Sequence, residues 1–266
     1  MKKSWLILVM ACCIFWWSCA VAVADEKEDH ALQVIKKLGG KVFYYCNGCG
    51  LDVAVDLENS EVTGADLREV KHLNVKECKN LQTLNLRHTK VSDKDLKEFK
   101  EIKSLWVLDL SHTRVTDAGV KELRDIEGLG CLNLSFTAVD GSGLSGFKKL
   151  VVLDLIGTRI TDNGLKELGW LTELKEINLE NTGVTDHGLK ELKNLQHLQY
   201  LDLGNTKVTK AGIKKLQLAL PQCSIRTTVL ERALEDRERG LPLMDFLDLD
   251  RGTEQTLNLV DPSWRR

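Results

Sequence analysis

What the sequence lacks narrows its function first. It has no excess of positive charge: 37 lysines and arginines stand against 39 aspartates and glutamates, a net charge of -2, so no overall basic field exists to draw nucleic acid. It has no glycine loop of the kind that cradles phosphate, no His-Glu-x-x-His pair and no nucleophile elbow, which leaves no catalytic residue and no cofactor to nominate. Nor is it poor enough in apolar residues to be disordered throughout, since 43% hydrophobic and 29% charged residues over 266 positions suit one folded domain with trimmed ends.

The first apolar run, in contrast, is long. Lys2 and Lys3 precede an unbroken apolar stretch from Trp5 to Trp17, and the first acidic residue comes only at Asp25. A charged start followed by an apolar run is the pattern of a signal peptide, and Ala22-Val23-Ala24 supplies the small residues for cleavage before Asp25. Two other fates stay open. Trp16-Trp17-Ser18-Cys19 resembles a lipobox, although Trp16 stands where that motif has leucine, and the run is nearly long enough to remain as an anchor. All three put the rest of the chain outside the cytoplasm, because the lysines hold the N-terminus inside.

Self-similarity explains most of the remaining chain. The pattern Leu-x-x-Leu-x-Leu-x-x-Thr begins with Leu81, Leu84, Leu86 and Thr89, then recurs ending at Thr113, Thr137, Thr158, Thr182 and Thr206, at intervals of 24, 24, 21, 24 and 24 residues. A weaker first copy, Val55 to Ser60, is separated from the rest by an insertion around Asn74 to Lys79. Each copy continues in the manner of Val115-Thr116-Asp117-Ala118-Gly119-Val120-Lys121-Glu122-Leu123. Leu108 and Leu110 point one way and Asp109 and Ser111 the other, as a short strand requires. Thr116 suits a helix N-cap with Asp117 favouring the helix dipole, so the repeated Thr-Asp pairs are assigned to capping. Val120, Leu123 and Ile126 then give a helical stripe.

At these residues the sequence resembles the leucine-rich-repeat family, over about Leu51 to Ile225, in a variant similar to the repeats of secreted bacterial proteins and of F-box substrate receptors. The resemblance implies an α/β fold, a right-handed solenoid or horseshoe with a concave parallel sheet and short convex helices. Residues 1–24 are then the signal peptide, 25–50 an N-terminal cap with a helix stopped by Gly39-Gly40, 51–225 about seven repeats, and 226–266 a charged helix and tail. Ile177 departs from leucine, Asp95 replaces the usual glycine, and Lys210 replaces the aspartate of the last copy. The 21-residue interval has lost about one helical turn between Val139 and Phe147, so the convex side is expected to be thinner there.

In such an architecture function is read by columns. The central one, Asp56, Asn85, Asp109, Asn133, Asp154, Asn178 and Asp202, alternates acid and amide. Two readings apply: a hydrogen-bonded polar ladder, or an acidic strip, joined by Glu58, Glu176 and Glu180, for docking a basic partner surface. Arg87 and Tyr200 in the flanking columns, with Phe136, are residue types favoured at interfaces, scattered through the array. His88 and His112 share one repeat position, but Phe136 follows where a third ligand would stand, so no metal site is assigned. Cys46 and Cys49 are the disulfide candidate; Cys78, Cys131 and Cys223 are expected to be buried or half-buried thiols.

The expectation is an exported, non-catalytic module that binds a protein partner through its concave face, meeting a membrane only through an N-terminal anchor or lipid. An envelope-associated scaffold that packs against its own copies is the alternative. F-box-like substrate recognition is disfavoured, because nothing resembling an F-box precedes the repeats and the N-terminal segment points to another compartment.

Overall fold

The computed structural model describes residues 26–46, 51–70, 72 and 79–227. Helix α1 (Glu26–Lys37) leads into an antiparallel pair, β1 (Lys41–Cys46) on β2 (Leu51–Asp56). From β2 onward every pairing is parallel, through β3 (Lys79–Asn85), β4 (Val107–Asp109), β5 (Cys131–Asn133), β6 (Val152–Asp154), β7 (Glu176–Asn178), β8 (Tyr200–Asp202) and β9 (Ser224–Arg226). The nine strands form one sheet in sequence order. The sheet therefore extends through Arg226, one residue past the boundary drawn from the repeat pattern.

The register shifts once between β2 and β3, at Val53 and Ala54, and is identical from β3 onward, which follows from the leucines. Leu84, Leu108, Leu132, Leu153 and Ile177 are fully buried and stack with Leu201 in a single column, so each side chain meets its equivalent in the next repeat. Ile177 fills the place of a leucine without exposure. The threonine closing each copy has a separate cause. Where the chain leaves the strand, the Thr89, Thr113, Thr137, Thr158 and Thr182 hydroxyls donate to the carbonyls of Leu86, Leu110, Leu134, Leu155 and Leu179 at 2.6–2.7 Å. The carbonyls of Leu86, Leu134 and Leu155 also accept the backbone N–H of the same threonine, at 3.2–3.3 Å, so these turns are closed twice.

The opposite side carries α2 (Gly64–Val70), α3 (Asp117–Glu122), α4 (Asp162–Leu168) and α5 (Lys210–Ala219), with 3-10 turns at Asp95–Glu101 and Gly188–Asn194. Their N-termini are held by two different schemes. In the early copies the cap is internal: Asp66 accepts from the Thr63 N–H at 2.8 Å, and Asp95 from the Ser92 N–H at 2.9 Å. In later copies the carboxylate comes from the preceding repeat. Asp162 accepts from the Thr185 N–H and hydroxyl at 2.8 and 2.7 Å, and Asp186 from those of Thr209 at 2.7 and 2.6 Å. The Thr-Asp pairs thus do more than cap their own helices, a role the repeat pattern had not suggested.

This switch explains two departures. Asp95 stands where later copies have glycine because Gly64 occupies the carboxylate position of the copy before it, so Ser92 needs a local acceptor. Gly119 is glycine because a Cβ there would collide with the incoming Asp93 Oδ1. Lys210 replaces aspartate where no further described repeat awaits a carboxylate.

The short interval has no helix, as the lost turn implied. Asp117 instead accepts from the N–H groups of Asp140, Gly141 and Gly143 at 2.7, 3.0 and 2.7 Å. Gly141, at φ +99°, lies so close to Gly164 that a Cβ would sit 2.7 Å from its Cα. Phe147, 5% exposed, takes the place of Leu123 and Leu168 and fills volume that the missing turn would have occupied.

Candidate binding face

Two side-chain columns decide the character of the sheet face. In the central one, each Asp or Asn Oδ1 accepts the N–H two residues on: Glu58 to Asp56, Arg87 to Asn85, Ser111 to Asp109, Ser135 to Asn133, Ile156 to Asp154, Glu180 to Asn178 and Gly204 to Asp202, at 2.7–3.1 Å. These turns bring the following residue into the left-handed region, with φ between 50° and 62° at Asn59, His88, His112, Phe136, Gly157, Asn181 and Asn205. The amides also bridge repeats: Asn85 Nδ2 donates to Asp56 Oδ1 at 3.0 Å and Asn133 Nδ2 to Asp109 Oδ2 at 3.2 Å.

The alternation is therefore a ladder lying beneath the surface. Asn85, Asp109, Asn133, Asp154 and Asn178 are at most 5% exposed. Burial pushes the Asp109 carboxyl up to about 6, against the opposing effects of its Ser111 bonds and of Arg87. At the next rung after Asp202 stands Arg226, also buried, so the ladder ends on a cation. Among the nominated residues, Asp56, Arg87, Glu180, Tyr200 and Asp202 are half-buried and reach the surface. Arg87 Nε lies 3.6 Å from Glu58 Oε1.

The column beside the ladder changes chemistry along the sheet. Thr83 gives way to Val107, Cys131 and Val152, then to Glu176 and Tyr200. The Trp106 ring packs over Gly130, the residue before Cys131, where a Cβ would collide with it. Burial, then Glu176, pushes the Cys131 thiol up to about 12, far from a reactive thiolate. Cys131 and Cys223 are free thiols, half-buried and buried.

The left-handed positions form a rim. His88 and His112 stack at 4.1 Å between ring centroids, and His112 and Phe136 at 4.5 Å. Burial, then His88 and Arg87, lowers the His112 pKa below the ordinary histidine value. The two histidines thus face each other as rings; among the described residues no group of three or more His, Cys, Asp or Glu is placed to hold a metal. The stack was legible only as three planar residues sharing one repeat position. The Cys46–Cys49 pairing, Cys78, the first 24 residues and the tail after Thr227 lie outside the described residues.

A family model described as a leucine-rich repeat matches at residues 77–100, 103–123, 148–169 and 194–216. These four stretches of the chain are leucine-rich repeats. Among solved structures, an internalin C2 from Listeria monocytogenes is 24% identical over 73% of this chain and 80% of that one, with a TM-score of 0.49. A leucine-rich-repeat protein of Leptospira interrogans is 23% identical over 62% of this chain and 40% of its own, with a TM-score of 0.45. The mouse RP105/MD-1 complex aligns over 52% of this chain and 24% of that one at 23% identity, with a TM-score of 0.43. No curated protein sequence matches the chain.

Proposed function

We propose that this solenoid is an exported, non-catalytic module that binds a protein partner across its concave sheet. The observation that carries the reading is the change of character along the columns that face away from the core. Val107, Cys131, Val152 and Ile156 make an apolar centre, Phe136 stands half-exposed at its rim, and Arg87, Glu180, Tyr200 and Asp202 lie at the margins. An apolar middle with a charged border is the anatomy of a protein interface. The buried Asn85, Asp109, Asn133, Asp154 and Asn178 serve this face by fixing its turns, and Asp56 closes the ladder at its N-terminal side.

Charge indicates the partner. Among the residues of the three columns that reach the surface, Asp56, Glu58, Glu176, Glu180 and Asp202 stand against Arg87, which favours a basic surface with an apolar centre. Export rests on Lys2, Lys3 and the apolar run from Trp5 to Trp17.

The test is affinity capture from envelope and culture fractions with the full chain, beside Val152→Lys on the sheet and Trp170→Ala, an exposed residue beyond α4. A partner lost by the first variant and kept by the second, with both variants folded, supports the reading. Equal capture by all three, or capture of the chain by itself alone, overturns it.

A further inference from the structure

We infer that residues 229–236 of this chain cover the C-terminal end of the solenoid, an apolar stripe lying on Val208, Ile213 and Ile225 and its carboxylates meeting the lysines around them. This surface is separate from the concave face.

The two ends of the array are built differently. At the N-terminal end α1 packs on α2 and buries Ala31 and Ile35, so the first repeat is covered. At the other end the core is open among the described residues. Val208, Ile213 and Ile225 are half-buried, whereas Val184, Leu189 and Leu201, at the same positions one repeat earlier, are at most 2% exposed. A stack of repeats needs a polar outer face or a cover at each end, and three apolar side chains do not supply the first.

Charge selects the cover. Helix α5 carries Lys210, Lys214 and Lys215 and no carboxylate, and residues 200–227 hold five cations against the single carboxylate of Asp202. Two of the five are turned elsewhere: Arg226 is buried at the end of the ladder, and Lys215 lies within electrostatic reach of Asp186 in the preceding repeat, which Gly212 also abuts. Helical spacing points Lys210, Ile213 and Lys214 the opposite way, to the open end, with Lys207 beside Val208. All three of these lysines are exposed. Lys210 stands where Asp162 and Asp186 tie their repeats to the next threonine, so the sign of the tie is reversed at this end. A second copy of the same end would set lysine against lysine, whereas an acidic cover meets three cations.

The chain delivers such a cover at once. Val229 follows Thr227, the last described residue, by two positions and so starts within about 7 Å of it. At helical spacing Val229, Leu230, Ala233 and Leu234 share one arc, with Glu231 and Glu235 together along its flank. Ala31 and Ile35, the buried pair of α1, have the same four-residue spacing. Residues 229–236 carry three carboxylates, Glu231, Glu235 and Asp236, against Arg232.

The experiment joins carboxylates to lysines with a zero-length carbodiimide in the full chain, held in detergent micelles as an equal mixture of ordinary and heavy-isotope-labelled protein. Mass spectrometry of the joined peptides is expected to show links from Lys207, Lys210 or Lys214 to Glu231, Glu235 or Asp236 within one chain. Links between an ordinary and a labelled chain, links to Asp245, Asp248 or Asp250 in their place, or no links from these lysines overturn the inference. Leu230→Asp with Leu234→Asp should also speed hydrogen exchange in α5 and β9 by at least about tenfold while β4 to β6 keep their protection, which separates uncovering from unfolding. Leu243→Asp with Leu247→Asp should leave α5 and β9 as they are. Exchange in α5 and β9 indifferent to the first pair, or raised as much by the second, likewise overturns it.

Discussion

The Asp93 carboxylate leaves its own repeat to accept both the backbone N–H and the hydroxyl of Thr116, each at 2.7 Å. One side chain thereby caps a helix 23 residues away and ties two repeats on the side opposite the sheet. In a solenoid each repeat touches only its neighbours, so such a tie acts on the interface that carries cooperativity.

Asp162 makes the same tie to Thr185, and its removal should be felt globally. Asp162→Ala is expected to lower unfolding stability by about 1–3 kcal/mol, and Asp162→Asn by less, because the amide oxygen still accepts the Thr185 N–H. Thr161, whose side chain makes no cap bond, is the contrast. Thr161→Ala should stay within about 0.5 kcal/mol in the same urea titration. Equal effects at the two positions would contradict the inter-repeat scheme.

Asp109 gives a pH prediction with a definite sign. Its folded-state value of about 6 lies above the ordinary 3.8, so the folded chain holds this proton more tightly than the unfolded one. The stability it contributes is present below about pH 4 and lost as pH rises through about 6. Relative to Asp109→Asn, the wild type should lose up to about 3 kcal/mol between pH 4 and pH 7, at about 1.4 kcal/mol per unit. Parallel stability curves for the two proteins would show that Asp109 is not desolvated.

His112 shifts the other way. Its proton is held less tightly than in an ordinary histidine, through burial, His88 and Arg87 in that order. Titration followed by NMR should place its midpoint below that of a free histidine, and His88→Ala should move it back up. Folding then favours neutral His112, so this group's contribution rises with pH through its titration. An unchanged midpoint in His88→Ala would dissolve the stacked pair as an electrostatic unit.

Phe147 tests the account of the short repeat. Restoring the leucine of its neighbours, Phe147→Leu, should leave a void where the missing turn is not replaced and cost about 1–2 kcal/mol. A neutral result in thermal unfolding would mean that the flanking repeats collapse onto the site.

Much of this protein can be read from residue order alone. Leucines at fixed spacing can be buried only by stacking copies, so the solenoid, the parallel register and the thinning between Val139 and Phe147 follow from the periodicity. The planar rim was half-legible, as His88, His112 and Phe136 share a position. The fate of the alternating Asp and Asn column was not. Strand alternation places Asp109 on the face away from the leucines, yet exposure there depends on the turn that its own carboxylate closes and on an asparagine 24 residues later. For the same reason the sequence could assign Asp162 to its own helix but not to Thr185, and it could record a glycine at 157 but not the ring above it. Local periodicity fixes which elements form; partners brought together from successive repeats decide which polar groups are consumed in holding them and which remain for another molecule.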